Sequence, residues 1–592
     1  MNSRLTALRQ HMQVTNVDAL YVPSSDPHLS EYLPEHWQGR AWLSGFHGSA
    51  GSLLVTQHFA GLWTDSRYWV QAQSDLAQSG FELMKAGQSD VLSPVEWVRQ
   101  HLPKGSTISL DGQVMALSQL DDWRALQDDG FRIDEQHDLL ASIWPERPAL
   151  PNAAIYEHVA PFALRTRQEN IRQLRQSMCK LGAQWHLLSS LDDIAWLFNL
   201  RGDDVPYNPV FLAHALLSQT EARLYVANTK VSEALQQSLQ AEGVTLRPYE
   251  ALAADLQQLD AGQTLLIDPQ RVTGGSLAAA SHLQICRASN PTQLAKALKN
   301  EGEIKQIREV MRQDGAALCR FFAWFDQRVN RETITELDVD QRLIEERAKQ
   351  AHFVSPSFGT IAAFGSNGAM PHYQATAQSY SVIEGNGLLL IDSGGQYLGG
   401  TTDITRVVPV GEPSQQEKHD FTLVLKGMIA LSRARFPEGV TGQQLDVLAR
   451  QPLWEAGLEF GHGTGHGVGY FLNVHEGPQS ISWRGRGGPG VVLQTGMVTS
   501  NEPGLYRDGQ WGIRIENLIA VNAAEQTEFG RFLSFETLTL CPIDTRCILP
   551  ELLNQTEKDW LNTYHEQVRN ALADLLEGDA LKWLTHRTLA ID

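Results

Sequence analysis

The residues best suited to chemistry fall in the C-terminal half of the chain. Residues 388–410 run from an apolar stretch into Asp392, through a glycine-rich turn, and back into an alternating stretch opened by Asp403. Two antiparallel strands joined in this way return both carboxylates to one place. Taken singly, an Asp at a strand end is as a rule a turn or capping residue. The pair therefore gains meaning only from what lies downstream.

Residues 461–478 place His462, His466 and His475 within fourteen positions, with glycine at 461, 463, 465, 467 and 469. Two histidines four apart can ligate zinc from a helix, but so many glycines make a very poor helix. Glycine at every second position also misses the dinucleotide spacing, and no Lys-Ser/Thr pair follows as a phosphate-binding loop requires. The pattern reads instead as an extended segment in which glycines allow backbone to approach a ligand closely while the imidazoles project.

The third segment holds Glu502 and, after Trp511, the run Gly-Ile-Arg514-Ile-Glu516-Asn-Leu-Ile-Ala520. Ile513, Ile515 and the apolar run at 518–520 predict a half-buried strand, with Arg514 and Glu516 sharing the opposite face. A buried Glu is costly unless paired or metal-bound, and Arg514 offers it an ordinary ion-pair partner. Asp392, Asp403, His466, Glu502 and Glu516 together supply four carboxylates and one imidazole, enough negative charge to neutralise two divalent cations. Oxygen-rich ligation with one His favours Mn²⁺, Co²⁺ or Zn²⁺ over copper or iron–sulfur chemistry, with Mn²⁺ first. Such a pair, about 3.5–4 Å apart, acidifies a water and implies hydrolysis.

These residues need a large scaffold. The chain has 592 residues, 20% charged and 42% apolar, with 48 Lys+Arg against 68 Asp+Glu for a net charge of −20. No dense basic run opposes that charge, so nucleic acid and anionic membranes are disfavoured as partners. Five cysteines, none in a CxxC pair, point to a reducing compartment. The first residues read as an amphipathic helix (Leu5, Leu8, His11, Met12) and not a signal peptide. No stretch approaches the ~20 apolar residues of a membrane span. A soluble cytoplasmic protein is expected.

Three regions are expected. Residues 1–150 alternate helical and strand patterns, with a strand at 19–22 and a hairpin from 51–55 and 60–63. A Pro-punctuated linker at 144–152 closes this region. Residues 151–291 repeat the style, with a helix at 165–182 and strands near 186–189, 212–217, 223–227 and 264–267. The two look like a duplicated α/β architecture. A long helical stretch over 292–327 opens the region 292–592, and from about 538 a tail repeats apolar residues (Leu552, Trp560, Leu561, Tyr564, Val568, Leu572, Leu575, Trp583) at helical spacing, read as core or subunit contact.

Taken with residues 40–51, 62–69 and 193–209, the three chemical segments resemble the three-domain aminopeptidase P family of the creatinase/methionine aminopeptidase superfamily. The resemblance runs over almost the whole length, and the second-region motif is specific to the long form. It implies an α/β (α+β) fold: two related N-terminal domains, then a pita-bread metallopeptidase domain with a C-terminal helical extension. It also implies a dinuclear centre held by Asp392, Asp403, His466, Glu502 and Glu516. His372, His475 and, more loosely, His462 match the family's substrate-binding and proton-handling histidines.

The implied activity is release of the N-terminal residue from short peptides with proline second, by attack of a water bridging two divalent ions. Glu502 would carry the proton, His475 would stabilise the oxyanion, and His372 would hold the carbonyl beyond the scissile bond. The resemblance further implies a homodimer. Prolidase, restricted to Xaa-Pro dipeptides, is the nearest enzymatic alternative. A non-catalytic binding module of the same fold is the alternative from another class, and such modules lose the ligand set that this chain keeps.

Overall fold

The computed structural model describes residues 2–484 and 490–592. The chain divides into two compact units, Met1–Gln293 and Leu294–Asp592.

The first unit carries two six-stranded sheets of the same topology. In one, the strand Ala19–Val22 pairs antiparallel with Ser52–Thr56, which hairpins to Ala60–Thr64. Glu82–Lys85 adds in parallel beyond that hairpin, and Thr107–Ser109 and Arg132–Asp134 follow in parallel on the other side. In the other sheet, Trp185–Leu188 takes the part of Ala19–Val22. It is antiparallel to His214–Ser218, which hairpins to Ala222–Tyr225, and Val244–Arg247, Thr264–Ile267 and Gln284–Arg287 complete the set in the same senses. The duplicated architecture expected from the pattern is therefore present at the level of strand order. The expected first helix forms at Ser3–Thr15 and buries Leu5, Leu8 and Met12.

In the second unit the expected continuous helix is two. Pro291–Ala297 ends, and Glu301–Arg328 starts afresh because Asn300 accepts from the Glu303 N–H while the Glu303 carboxylate accepts from the Asn300 N–H. Such a reciprocal cap initiates a helix more strongly than a run of helix-forming side chains can override. The expected 511–520 strand is likewise split. Trp511–Arg514 hairpins with Gly504–Arg507, whereas Asn517–Thr527 joins Val498–Asn501 in a four-stranded sheet. Residues 512–520 are buried throughout and not on one face only.

The strand Gly387–Ser393 lies between Ile361–Phe364 and Ile404–Val410, antiparallel to both. Leu388, Leu390 and Val407 point from this sheet into a core completed by the tail helix Gln555–Leu572 through Leu561, Tyr564, Val568 and Leu572. The tail thus closes the core behind the chemical segments, one of the two roles its periodicity allowed.

Candidate metal centre

Two strand pairings gather the carboxylates. In the first, Asp392 stands opposite Thr405 and Ser393 opposite Ile404, so Asp403 enters its strand beside the end of the other, as the hairpin reading expected. In the second, Asn501 faces Asn517, which places Glu502, just after one strand, beside Glu516, just before its partner. The Glu516 N–H donates to the Thr405 carbonyl at 3.2 Å, tying the two pairings together.

In the histidine segment, Gly465–His466 is extended and paired to Ser480–Ile481. Two of the alternating glycines let backbone approach backbone. A methyl group at 465 would overlap the Ser500 carbonyl oxygen, and one at 467 the Glu476 carbonyl oxygen. The glycine face lets backbone pack on backbone, and period-two alternation leaves the His466 imidazole on the other face.

His466 is oriented by its neighbours. Its Nδ1 lies 3.0 Å from the Gly467 carbonyl, which a ring N–H satisfies, so Nε2 faces Asp403 Oδ2 at 3.4 Å and Glu502 Oε1 at 3.5 Å. Fixing one ring nitrogen on a carbonyl to expose the other is how metal-binding histidines are held. His475 packs edge-on against His466, with ring centroids 4.3 Å apart.

Donor atoms of Asp403, His466 and Glu516 lie within 4.8 Å of one another. Asp392, Asp403 and Glu516 are all buried. Burial, then the charges of Asp403 and Glu502, raise Asp392 to about 7 despite the opposing Arg514. Burial and the other three carboxylates push Glu516 well above the usual range, and burial likewise raises Glu502. For His466, burial alone would lower the pKa, but Asp403 and Glu502 outweigh it and raise it to about 9. A cluster that binds protons so tightly is one in which cations are wanted.

Two buried oxygens, Asp392 Oδ1 and Glu516 Oε1, have no hydrogen-bond partner. Buried acceptors are rarely left so. The donor set, oxygen-rich with one imidazole, therefore fits hard or borderline divalent ions.

The ordinary ion-pair alternative for Glu516 is not realised. Arg514 does not pair with Glu516; its Nη2 donates to Asp392 Oδ2 at 2.6 Å and its Nη1 to the Tyr506 hydroxyl at 2.6 Å. The strand break after Arg514 turns the two side chains apart, and Glu516 Oε2 accepts instead from the Thr405 hydroxyl at 2.8 Å. Tyr506 in turn lies 2.8 Å from His462 Nε2, while His462 Nδ1 meets the Gly463 carbonyl at 2.7 Å. Nδ1 must donate to a carbonyl, so Nε2 accepts from Tyr506. Sequence reasoning missed Tyr506 and Thr405, and nothing in their spacing marks them.

His372 is half-buried and follows the short helix at residues 365–369. That helix packs on the Trp511–Arg514 strand so closely that a side chain at Gly512 would overlap the Gly368 carbonyl. The strand bearing Arg514 therefore also seats the turn bearing His372.

Residues 305–523 match the model of metallopeptidase family M24, and 531–591 the C-terminal region of that peptidase family. Residues 4–132 and 146–303 each match a creatinase/prolidase N-terminal domain. Aminopeptidase P2 of Arabidopsis thaliana is 39% identical, the match covering 99% of this chain and 88% of the relative. A probable Xaa-Pro aminopeptidase P of Paracoccidioides brasiliensis is also 39% identical, over 100% of this chain and 99% of the relative. The crystal structure of X-prolyl aminopeptidase from Caenorhabditis elegans, described as a cytosolic enzyme with a di-nuclear active site, superposes with a TM-score of 0.94. It is 32% identical and is matched over 100% of this chain and 99% of that one.

Proposed function

The chain belongs to the aminopeptidase P family of pita-bread metallopeptidases, and from that membership and the geometry we propose that it releases the N-terminal residue from short peptides with proline in second place. The observation that carries the reading is the convergence of four carboxylates and one imidazole, with two buried carboxylate oxygens unpartnered. Asp392, Asp403, His466, Glu502 and Glu516 would hold two divalent ions, with Mn²⁺ first and Co²⁺ or Zn²⁺ as alternatives. When bound, the ions supply Lewis acidity that makes water a nucleophile at neutral pH.

The chain's own groups do the rest. Glu502 receives the proton of the attacking water and passes it to the leaving nitrogen. His475, edge-on to His466, donates to the oxygen on which charge develops. The substrate's free ammonium sits against the carboxylates, which restricts cleavage to the first residue. His372 holds the carbonyl beyond the scissile bond. Because both of its ring nitrogens are engaged by Tyr506 and Gly463, we assign His462 to fixing Tyr506, not to direct substrate contact. Proline in second place has no N–H and a fixed φ, so the site need not satisfy that donor.

We further propose a cytoplasmic homodimer with three domains bounded near 150 and 291. Among the described residues, no helix is long and apolar enough to cross a membrane. The test is cleavage by protein loaded with Mn²⁺, Co²⁺ or Zn²⁺. Xaa-Pro-Xaa tripeptides are expected to lose their first residue and Xaa-Ala-Xaa controls to stay intact. Cleavage of the Xaa-Pro dipeptide alone would reassign the chain to prolidase chemistry, and inertness with every metal would leave a binding module.

A further inference from the structure

The turn carrying His372 belongs to a stretch, 365–381, with almost no regular structure after the short helix Gly365–Ala369. Long irregular loops inside compact domains are unusual and need an anchor to keep one conformation. The anchor is Glu336, the first residue of the helix Glu336–Ala348, which is completely buried. Its Oε1 accepts from the Phe364 N–H at 2.7 Å and from Asn367 Nδ2 at 2.9 Å. Its Oε2 accepts from the Tyr373 hydroxyl at 2.8 Å and the Ser381 N–H at 2.7 Å, and its own N–H donates to the Ser381 carbonyl at 3.1 Å.

One carboxylate thus gathers the start, middle and end of the loop. Asn367 also donates to the Ser381 hydroxyl at 3.0 Å, and Thr335 bridges Val382, so the loop closes on the helix N-terminus, where a negative charge is favourable. Hydrogen bonds to an ionised acceptor are roughly twice as strong as neutral ones, so a single buried carboxylate can replace the apolar contacts such a loop lacks. His372 sits between Met370, which packs on the core, and Tyr373, which is held by Glu336. Its backbone is therefore fixed on both sides while its ring remains half-exposed.

We propose that Glu336 is the positioning residue for His372, acting through the Tyr373 hydroxyl. This rests on the reading of His372 as the group that holds the carbonyl beyond the scissile bond, and the test separates the two. An Xaa-pyrrolidide keeps the scissile amide and the ring but has no carbonyl beyond it. Metal-loaded wild type, His372→Ala, Glu336→Gln and Tyr373→Phe are compared on Xaa-Pro-Xaa and on the pyrrolidide, with metal content and melting midpoint measured in parallel.

In Glu336→Gln an amide NH₂ replaces an acceptor and faces groups that themselves donate. The expected result is a loss of about 30-fold in kcat/KM on the tripeptide but less than about 3-fold on the pyrrolidide, with metal content unchanged. His372→Ala is expected to show the same selectivity. Tyr373→Phe removes one donor and keeps the ring; it should lose about 10-fold selectively, and it keeps the test open if Glu336→Gln does not fold.

A Glu336→Gln protein that loses both activities in parallel would show a merely structural role. Selectivity in His372→Ala with none in Glu336→Gln and Tyr373→Phe would likewise overturn the assignment. If His372→Ala is unselective, the reading of His372 itself falls.

Discussion

Removing the metals should make this protein's stability fall steeply as pH rises. Asp392 is raised from 3.8 to about 7, Glu502 and Glu516 are raised also, and His466 is raised from 6.5 to about 9. All four groups hold protons more tightly folded than unfolded. A group with a raised folded pKa contributes stability that is full below its unfolded pKa and is lost as pH rises through the folded one. For Asp392 that window runs from about 4 to 7, and His466 extends the decline toward 9. At 1.36 kcal/mol per unit, the shift of roughly three units at Asp392 corresponds to about 4 kcal/mol lost across its window. The groups share one field, so their contributions do not add, and this figure sets the scale for the cluster. Bound cations replace the protons, and the loaded protein should show little of the decline. The assay is the melting midpoint of chelator-treated and Mn²⁺-loaded protein from pH 5 to 9, at one scan rate. The gap between them should widen with pH. A gap that stays constant, or narrows toward pH 9, would refute the picture of a proton-filled cage.

Asp403→Ala removes a donor close to both His466 and Glu516, and should abolish both metal uptake and turnover of an Xaa-Pro tripeptide; retained activity in a metal-loaded sample would contradict the ligand set. Lys299, in the gap between the helices Pro291–Ala297 and Glu301–Arg328, donates to Glu476 Oε1 at 2.9 Å with both side chains fully buried. Lys299→Met should therefore destabilise by about 3–5 kcal/mol by stranding the carboxylate. Adding Glu476→Gln should recover much of that loss in denaturant titrations, and equal losses in the single and double variants would show that no such coupling exists.

How much of this was legible depended on the distance over which each constraint acts. The carboxylates of Asp392 and Asp403 were placed by a hairpin, and hairpins are written locally in alternation and turn residues. The duplicated sheets were visible for the same reason, strand by strand. The shared face expected for Arg514 and Glu516 does not form, because the strand is not continuous. A break of two residues between sheets changed which way Arg514 points, and its partner, Asp392, lies 122 positions away. The helix break at residues 298–300 was locally encoded in the Asn300 and Glu303 pair and was passed over because helical apolar periodicity runs through it. Tyr506, Thr405 and Glu336 could not be seen at all. Each acts through partners brought near only by the finished fold, and none belongs to a residue pattern that names its chemistry.

The tail offers the clearest case of a part whose role follows from packing. Arg406 adjoins Thr405, whose hydroxyl holds Glu516, and it is buried. Its guanidinium donates to the Glu516 carbonyl at 2.6 Å and to Asn517 Oδ1 at 2.8 Å on the metal-centre side. On the tail side it donates to the carbonyls of Pro542 and Cys541 and to the Tyr564 hydroxyl. Every one of these acceptors is an uncharged oxygen. A buried cation ordinarily demands a carboxylate, yet here a carboxylate partner would add to a field that already holds four acidic groups. Neutral oxygens satisfy the donors without adding that charge. Three of those five oxygens come from residues after 538. The extension is thus tied to the backbone at Glu516 through a single guanidinium, as well as to the apolar core through the helix Gln555–Leu572. A unit ending before the extension would leave Arg406 Nε without its acceptor and Nη2 with Asn517 alone.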